Sequence, residues 1–405
     1  MSRFGLIGRT LGHSFSPAIH AMAGDYDYSL YPMEPEELDA FLSTTDCDGF
    51  NVTIPYKIDA MRSCAELSER ARAIGCVNTL TRREDGAWRG DNTDWDGFLY
   101  LLGADAVSLS GRPALILGSG GASRTVQAVL ESCGIPHTVI SRSGQDSYEN
   151  ISRRADAELI VNTTPVGMYP KNGAAPIDLR LFPKCRLVLD LVYNPLKTAL
   201  VLQAEELGIP AHGGLAMLAA QGVRAAELFT RRSLPKTLTE KIADTIARQM
   251  TNTVLIGMPG CGKTTTAKAL GALTGRPVYD IDSLIVEREG RSIPQIFASD
   301  GEEGFRRIET AVLEEVSKKT GVIIATGGGV VTQPRNLPLL RQNGVCVWLN
   351  RHGELPKDGR PLSQSKGVQQ LRAERAPLYE AWSDCIVSEP SEQKAAQKIM
   401  EELYR

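Results

Sequence analysis

Apolar stretches of strand length alternate with amphipathic helical stretches along the whole chain. Short continuous apolar runs stand at Ala114–Leu117, 253–256 and 322–326, and each leads into a glycine-rich turn. Strands that are buried on both faces have this appearance, and their alternation with helices is typical of helices packed on mostly parallel sheets. The pattern therefore predicts an α/β fold with central parallel sheets.

Two breaks divide this alternation. A helical stretch over 215–250, interrupted near Pro235, ends just before the apolar run at 253–256, and a softer break lies at 103–113. We predict three parts from these breaks. They are an α/β domain over 1–105 that is completed by helices of 215–250, a Rossmann-type dinucleotide domain over 106–214, and a P-loop domain over 252–405.

Composition narrows the setting of these domains. The 405 residues carry 45 Lys plus Arg and 48 Asp plus Glu, for a formal net charge of −3, so we expect no binding of nucleic acid or an acidic membrane. No apolar run is long enough to span a bilayer, and the first residues resemble a strand and turn rather than a signal peptide. The cysteines are scattered singly, which favours a reducing cytoplasm. The sequence predicts a cytoplasmic protein with small-molecule partners and leaves its oligomeric state open.

The strand Ala114–Leu117 runs into a glycine-rich turn that is followed by a helical stretch. Gly118 permits the turn, Gly120 lets the backbone approach a pyrophosphate, and the helix offers it free N–H groups. A simple strand-to-helix turn also favours glycine, but the order of strand, turn and helix favours a dinucleotide site. The predicted cofactor contacts in this turn are Gly118, Ser119, Gly120, Gly121 and Ala122.

The next predicted strand ends at Ser141, Arg142 and Ser143. An acidic residue at this point would bind the ribose 2′-hydroxyl of NAD, whereas arginine beside small hydroxyl residues suits the 2′-phosphate of NADP. A solvated loop arginine is the alternative. We therefore expect NADP(H) as the cofactor.

Two polar segments ahead of this turn carry a lysine and an aspartate. Residues 49–57 alternate apolar and polar positions as in a strand that Pro55 ends before Lys57, and a polar turn over 90–94 ends at Asp94. Reduction of a carbonyl by hydride needs a proton donor, and a lysine held by a carboxylate supplies one. From the spacing alone, a surface ion pair is the simpler interpretation.

Residues 1–250 resemble shikimate dehydrogenase in the segments 13–17, 51–57, 75–79, 92–94, 162–168, 190–195 and 214–221. The resemblance implies that Lys57 and Asp94 are the catalytic pair. It also implies nicotinamide contacts at Leu191 and Gly214, and a substrate site built from Ser14, Ser16, Thr53, Asn78, Asp94, Tyr193 and Gln221. Ser16 has a competing role, because a serine before proline is a good helix N-cap.

This first half departs from the family pattern in two places. The family commonly carries a second arginine a few residues after the first, but residues 144–146 here are Gly, Gln and Asp, so we expect relaxed discrimination for NADP over NAD. Thr10 stands where the family usually has proline, a change that we expect to be harmless.

A second glycine-rich turn matches the full P-loop pattern from Gly257 to Thr264. In such a loop the backbone N–H groups surround the phosphates, Lys263 reaches the outer phosphates and Thr264 ligates Mg²⁺. The predicted ATP contacts are Gly260, Cys261, Gly262, Lys263, Thr264 and Thr265.

Further features of this domain indicate a second ligand. Asp280 and Asp282 occupy alternate positions at the end of a predicted strand, where one can support Mg²⁺ and the other can accept a hydroxyl proton. Capping of the strand end is the alternative. Arg306 and Glu309, three apart on a helix predicted over 303–319, are typical of a solvated surface pair. Glycines 327–329 permit close backbone approach to a ligand.

Residues 252–405 resemble shikimate kinase in the P-loop and in the segments 280–282, 305–309, 327–329, 359–362 and 375–379. The resemblance implies that Asp282 binds and deprotonates the substrate hydroxyl. It further implies that the substrate carboxylate is bound by Arg306 and Arg375, that Gly328 packs on the ring, and that Arg360 meets the transferring phosphate. The segment before Arg360 is shorter than in the family and contains Pro356.

The two halves together predict a bifunctional enzyme. Its expected reactions are the reduction of 3-dehydroshikimate to shikimate with NADPH, and the phosphorylation of shikimate at the 3-hydroxyl with ATP and Mg²⁺. Two alternatives stay open. The short segment before Arg360 is compatible with a kinase-like regulatory module without catalysis, and the first half could act on quinate or another hydroxy acid, although Ser14 with Ser16 favours shikimate.

Overall fold

The computed structural model describes residues 2–12, 14–351 and 367–404. They form two compact units, Met1–Met168 with Ala174–Ile246 and Tyr169–Gly173 with Ala247–Arg405. The first unit contains two sheets and the second contains one. The predicted α/β class with parallel sheets is confirmed.

The first sheet has six strands in the order β2-β1-β3-β5-β6-β4. The strands are β1 (Arg3–Gly8), β2 (Asp27–Pro32), β3 (Gly49–Val52), β4 (Cys64–Leu67), β5 (Thr79–Arg82) and β6 (Trp88–Asp91). Strand β1 pairs in parallel with β2 and β3, whereas β5 is antiparallel to β3 and β6. The helices of this region are α1 (Ser16–Ala23), α2 (Leu38–Thr44), α3 (Asp59–Arg62) and α4 (Glu69–Ile74).

The second sheet is parallel throughout, in the order β11-β10-β9-β7-β8. Its strands are β7 (Ala114–Leu117), β8 (His137–Ile140), β9 (Leu159–Asn162), β10 (Leu187–Asp190) and β11 (Ala211–His212). The chain leaves β7 in one direction toward β8 and returns to its other side for β9, so the end of β7 is a topological switch point, where ligands bind in such sheets.

The helices of the first unit from residue 94 onward are α5 (Asp94–Leu102), α6 (Asp105–Ser108), α7 (Gly121–Ser132), α8 (Ala199–Glu206), α9 (Leu215–Thr230) and α10 (Leu238–Met250), the last of which continues into the second unit. Helix α9 packs on both α5 and α1, with Gly97 against Met217 and Gly222 against Ile19. This packing joins the first sheet to the helices that flank the second.

The sheet of the second unit is also parallel, in the order β13-β14-β12-β15-β16. Its strands are β12 (Asn252–Ile256), β13 (Val278–Asp280), β14 (Ile323–Ala325), β15 (Gly344–Leu349) and β16 (Cys385–Val387). The helices are α11 (Lys263–Thr274), α12 (Ile281–Glu289), α13 (Ile293–Ser317), α14 (Asn336–Arg341), α15 (Val368–Trp382) and α16 (Glu392–Leu403). Strand β12, which leads into the P-loop, lies at the centre of the sheet and is fully buried.

Several expected elements differ from the structure. The strand that we expected to run from residue 49 to Pro55 already ends at Val52, because its pairing with β1 and β5 ends there, and its four residues are all buried instead of alternating. The helix expected over 303–319 begins earlier, at Ile293, and is broken at Gly301, whose φ is +69°. The interruption predicted near Pro235 is confirmed, since it separates α9 from α10.

Two further observations concern the setting of the protein. All eight cysteines are free thiols. Within the described ranges, the helices lack the combination of length and apolar character that crossing a membrane would require.

Candidate active sites

A lysine–aspartate ion pair lies in the first unit at the start of α5. Lys57 Nζ donates a hydrogen bond of 2.6 Å to Asp94 Oδ2, and the side chains are 22% and 14% exposed. Burial alone would lower the pKa of Lys57, but the charge and hydrogen bond of Asp94 outweigh it and raise this pKa above its ordinary value. The interpretation as a surface pair is therefore wrong, and Lys57 is a protonated, partly enclosed acid.

Asn78 and Thr53 flank this pair on the same edge of the first sheet. Val77 N donates to Lys57 O, and Thr93 N donates to Asn78 Oδ1 at 2.7 Å, so the residue before Asp94 is tied to Asn78. Thr53 follows β3 and its backbone N–H donates to Ile7 O of β1. These bonds bring predicted substrate contacts from three separate segments to one sheet edge.

Ser14 and Ser16 lie at the beginning of α1. Ser16 is the first residue of this helix and its side chain caps nothing; Phe15 occupies the N-cap position and Ser14 Oγ accepts from Ser16 N. The N-cap role that we considered for Ser16 is therefore wrong, because the helix starts one residue earlier than capping would require. The ring of Phe15 meets that of Tyr193 edge to face at 6.1 Å, which brings Tyr193 to the same region.

Gln221, Leu191 and Gly214 complete the residues predicted for this site. Gln221 lies on α9 against Gly97 of α5, three residues along the helix from Asp94. Gly214 N donates to Val192 O, and a Cβ at residue 214 would lie 2.2 Å from Leu191 O, so this position excludes any side chain. Leu191 and Gly214 thus contact each other directly.

The first glycine-rich turn connects β7 to α7 at the topological switch point. Gly118 has a φ of +103°, which favours glycine, and Gly120 is the N-cap of α7. Gly120 and Gly121 are exposed, and a Cβ built on either would meet nothing within 4 Å, so there is room for a ligand beside this backbone. This open cradle at a helix N-terminus fits a pyrophosphate.

The segment after β8 contains Ser141, Arg142 and Ser143. Ser141 Oγ donates to Ser143 O, and Arg142 is exposed. Residues 144–146 form the stretch in which the family commonly has a second arginine, and Arg154 pairs with Asp146 of this stretch at 2.9 Å. A second guanidinium, that of Arg154, is thus present beside this loop, although no sequence pattern indicated it, and it is held by the Asp146 carboxylate.

The P-loop connects β12 to α11 in the second unit. Lys263 is buried and its ammonium donates to the carbonyl oxygens of Gly257 and Met258, at 2.8 and 2.9 Å. Thr264 Oγ1 donates to Asp280 Oδ2 at 2.5 Å. A hydroxyl and a carboxylate side by side are oxygen donors of the kind that Mg²⁺ prefers, and they suit a metal that takes few protein ligands and fills its sphere with phosphate and water.

Asp280 and Asp282 do not share a strand face as expected. Strand β13 ends at Asp280, whose Oδ1 accepts from Ser283 N, so Asp280 is the N-cap of α12. Asp282 lies in the first turn of that helix, and a Cβ at Gly327 would lie 3.0 Å from its Oδ1. Helix capping thus separates the two carboxylates, with Asp280 at Thr264 and Asp282 at the glycines after β14.

The ion pair of Arg306 and Glu309 is buried, so its interpretation as a solvated surface pair is wrong. Arg306 Nη1 donates to Glu309 Oε2 at 2.7 Å, with side-chain exposures of 5% and 0%. Burial raises the pKa of Glu309, against the opposing charge and hydrogen bond of Arg306. Glycines are required beside it, because a Cβ at Gly327 or Gly329 would collide with Glu309 Oε1 or Arg306 Nη2. The close approach that these glycines permit is to protein side chains.

Arg375 lies on α15 and meets the same glycines. Its Nη1 donates to Gly328 O at 3.0 Å, and Tyr379 Oη donates to the same oxygen. Among the described residues, three buried atoms of this cluster have no hydrogen-bond partner, namely Arg306 Nε, Glu309 Oε1 and Arg375 Nε. Unpaired buried donors of two guanidinium groups favour an anionic ligand, for which a planar carboxylate is the matching partner.

Two residues of the P-loop pocket escaped the sequence analysis. The sequence analysis placed Glu309 in a surface ion pair, although its i,i+3 spacing correctly indicated that it meets Arg306. Glu392, at the start of α16, lies against Gly262 and forms an ion pair with Arg351. Glu392 is far along the chain from the P-loop, so no motif or spacing in the sequence indicates that it lies there. Arg360, like His13, lies outside the described residues.

The fold and the sites define an α/β enzyme with a dinucleotide-type unit followed by a P-loop phosphotransferase-type unit. The family model "Shikimate dehydrogenase substrate binding domain" matches residues 6–80, and the family model "Shikimate kinase" matches residues 259–404. Shikimate dehydrogenase (NADP(+)) of Synechocystis is 34% identical over 264 residues, which are 57% of this chain and 91% of that protein. The corresponding Synechococcus protein is 40% identical over 256 residues, 56% of this chain and 87% of its own length.

Solved structures show the same likeness. Shikimate 5-dehydrogenase of Thermus thermophilus, in complex with NADP(H) and shikimate, is 34% identical with a TM-score of 0.56, and the match covers 60% of this chain and 99% of that one. A chorismate mutase/shikimate 5-dehydrogenase fusion protein from Clostridium acetobutylicum is 34% identical with a TM-score of 0.56, covering 61% and 97%. The chain belongs to the shikimate dehydrogenase family and carries a shikimate kinase domain after it.

Proposed function

We propose that the first unit reduces 3-dehydroshikimate to shikimate with NADPH and that the second phosphorylates shikimate at its 3-hydroxyl with ATP and Mg²⁺. The observation that carries this proposal is the presence of two separate candidate sites in one chain. Lys57 with Asp94 lies in the unit of the dinucleotide turn, and Arg306 with Glu309 and Arg375 lies beside the P-loop. The product of the first reaction is the substrate of the second.

The domain limits follow the same proposal. Residues 1–105 with the helices of 215–250 would bind the substrate of the dehydrogenase, residues 106–214 would bind NADP, and residues 252–405 would form the kinase. The sheets support this division, because strands β1 to β6 form the first sheet and β7 to β11 the second.

In the dehydrogenase site, bound NADPH supplies the hydride. Lys57 donates the proton to the oxygen of the reduced carbonyl, and Asp94 holds the ammonium in place and keeps it charged. The substrate's oxygens are bound by hydroxyl and amide groups, those of Ser14, Ser16, Thr53, Asn78, Tyr193 and Gln221. Gly118 to Ala122 hold the pyrophosphate, Arg142 with its serine neighbours holds the 2′-phosphate, and Leu191 and Gly214 face the nicotinamide.

In the kinase site, Arg306 and Arg375 bind the shikimate carboxylate and Gly328 contacts the ring. Asp282 accepts the proton of the attacking hydroxyl, while Lys263 and Arg360 stabilise the charge of the transferring phosphoryl group. Thr264 and Asp280 hold Mg²⁺. The retained Arg306–Glu309 pair argues against a purely regulatory module, because nucleotide binding alone does not need a built carboxylate site.

A coupled assay of the whole chain tests the proposal. With 3-dehydroshikimate, NADPH and MgATP, we expect NADPH oxidation and ADP release, with shikimate 3-phosphate as the final product. NADPH oxidation without shikimate-dependent ADP release would leave the second unit as a nucleotide-binding module. Faster oxidation of quinate than of shikimate in the reverse direction would show that the first unit prefers quinate as its substrate.

Replacing Lys263 by alanine should abolish kinase turnover and leave NADPH oxidation unchanged. The ammonium is the charge that reaches the outer phosphates, and it belongs to the second unit alone. Both rates are measured on the same preparation. Loss of both activities in a folded protein would contradict the independence of the two units.

Replacing Arg142 by alanine should raise KM for NADPH by roughly tenfold and leave KM for NADH nearly unchanged, since a charged hydrogen bond to a phosphate contributes about 1.5–3 kcal/mol. Arg153 is a matched control, because it is another exposed arginine of the same predicted domain. Equal effects of Arg142→Ala on the two cofactors would contradict a role in reading the 2′-phosphate.

A further inference from the structure

A buried hydrogen-bond network lies behind the dehydrogenase substrate residues. His20 of α1 is 1% exposed, its ring stacks on Tyr28 at 3.9 Å between centroids, and its Nδ1 and Nε2 lie 2.7 Å from Tyr26 Oη and 2.9 Å from Asn51 Oδ1. Burial lowers the pKa of His20 to about 3, so the imidazole is neutral at neutral pH and has a single N–H.

The partners of His20 fix which nitrogen carries its proton. Asn51 Oδ1 can only accept, and it already receives the hydroxyl of Tyr28 at 2.8 Å. His20 Nε2 must therefore be the donor to Asn51, and Nδ1 must accept from Tyr26. The amide of Asn51 is held on its oxygen side by two donors, which leaves its nitrogen directed at Thr79.

The chain of hydrogen bonds continues from Asn51 through Thr79 to Asn78, with each group donating to the next. Asn51 Nδ2 donates to Thr79 Oγ1 across the paired strands β3 and β5, and the Thr79 hydroxyl donates to Asn78 Oδ1 at 3.1 Å. Thr93 also donates to Asn78 Oδ1, through its backbone N–H and its hydroxyl. Because every one of these donors meets the oxygen, the amide nitrogen of Asn78 is the group left to donate outward.

A second branch leads from the same network to α1. The Tyr28 oxygen, which donates to Asn51, is itself hydrogen-bonded by the Ser16 side chain. Asn51 thus stands between two residues that we assign to the substrate, Ser16 and Asn78, yet it is 5% exposed and is not itself among them.

We propose that His20 is a positioning residue of the dehydrogenase: through Asn51 and Thr79 it fixes Asn78 so that the Asn78 amide nitrogen donates to a substrate hydroxyl. The inference rests on the proposed function of the first unit. It assigns a role to a histidine that the reaction itself does not use.

The test compares His20→Phe, which keeps an aromatic ring to stack on Tyr28, with His20→Gln, which retains an N–H donor toward Asn51. We expect His20→Phe to raise KM for shikimate roughly tenfold with kcat within about threefold, because the lost interaction binds substrate and transition state alike. KM for NADP and the kinase rate should stay unchanged. His20→Gln should recover most of the loss, and no recovery would count against the donor role.

A double-mutant cycle with Asn78→Ala identifies the route. If His20 acts through Asn78, His20→Phe should add nothing to KM in the Asn78→Ala background; effects that multiply would overturn the proposal. Should His20→Phe fail to fold, Thr79→Val against Thr79→Ser makes the same comparison one step nearer the substrate. Absence of activity in the unmodified chain removes the proposed function, whereas an active chain with an unchanged KM in His20→Phe and Thr79→Val removes only this inference.

Discussion

Replacing Lys57 by alanine lowers kcat for 3-dehydroshikimate reduction by about 10³-fold and leaves shikimate phosphorylation unchanged. General acid catalysis contributes about 10²- to 10⁴-fold, and Lys57 is the proton donor that the geometry supplies. Its pKa is raised by Asp94, so the ammonium keeps its proton through neutral and into alkaline pH. The measurement is steady-state NADPH oxidation, with ADP release from shikimate as the internal reference.

Two aspartates on α5 provide a matched control for this pair. Asp94→Asn removes the charge that holds Lys57, whereas Asp96→Asn removes one that pairs with the more exposed Arg70 at 2.7 Å. We expect a large loss of kcat in the first variant and less than a twofold change in the second, since exposed pairs contribute little. A Lys57→Ala enzyme with near-normal kcat would mean that another group supplies the proton.

The sequence predicts the strands and turns that carry this site better than it predicts the burial and contacts of the site's side chains. The strands β7 and β12 were predictable because short apolar runs before glycine turns have few other interpretations. The enclosure of Lys57 was not, since it depends on Lys57 meeting Asp94 at the start of α5, a contact between residues 37 positions apart. Only the family resemblance, not the spacing, indicated that pair.

The second unit shows the same limit. The i,i+3 spacing of Arg306 and Glu309 indicates that the two side chains can meet, but spacing on a helix does not determine which face is covered. Here Gly327 and Gly329 lie directly against Glu309 and Arg306, and the pair is buried. Likewise, the alternation of Asp280 and Asp282 suggested one shared face, but the chain turns into a helix between them. Such outcomes depend on tertiary packing, which a single sequence does not reveal.

Burial makes the Arg306–Glu309 pair important for the stability of the second unit. Glu309→Ala leaves Arg306 as a buried cation whose only remaining ion pair among the described residues is the longer one with the half-exposed Glu302, at 3.4 Å. Removing one partner of a buried ion pair costs about 3–5 kcal/mol. We expect the calorimetric transition of the kinase unit, identified by its shift on adding ATP, to fall by roughly 10 °C. Glu303→Ala is the control on the same helix, because the pair of Glu303 with Arg307 is exposed and 3.6 Å long. It should change stability by less than about 0.5 kcal/mol.

A double replacement separates the structural role of the pair from its chemical role. Arg306→Met combined with Glu309→Leu removes both charges and keeps apolar volume in the buried space, so stability should recover most of the loss caused by Glu309→Ala. Shikimate binding should not recover, since the guanidinium that we assign to the carboxylate is gone. A stable double variant with normal KM for shikimate would show that Arg306 only fills space beside the glycines. A stable variant with KM for shikimate raised at least tenfold would instead show that the Arg306 guanidinium binds the substrate carboxylate.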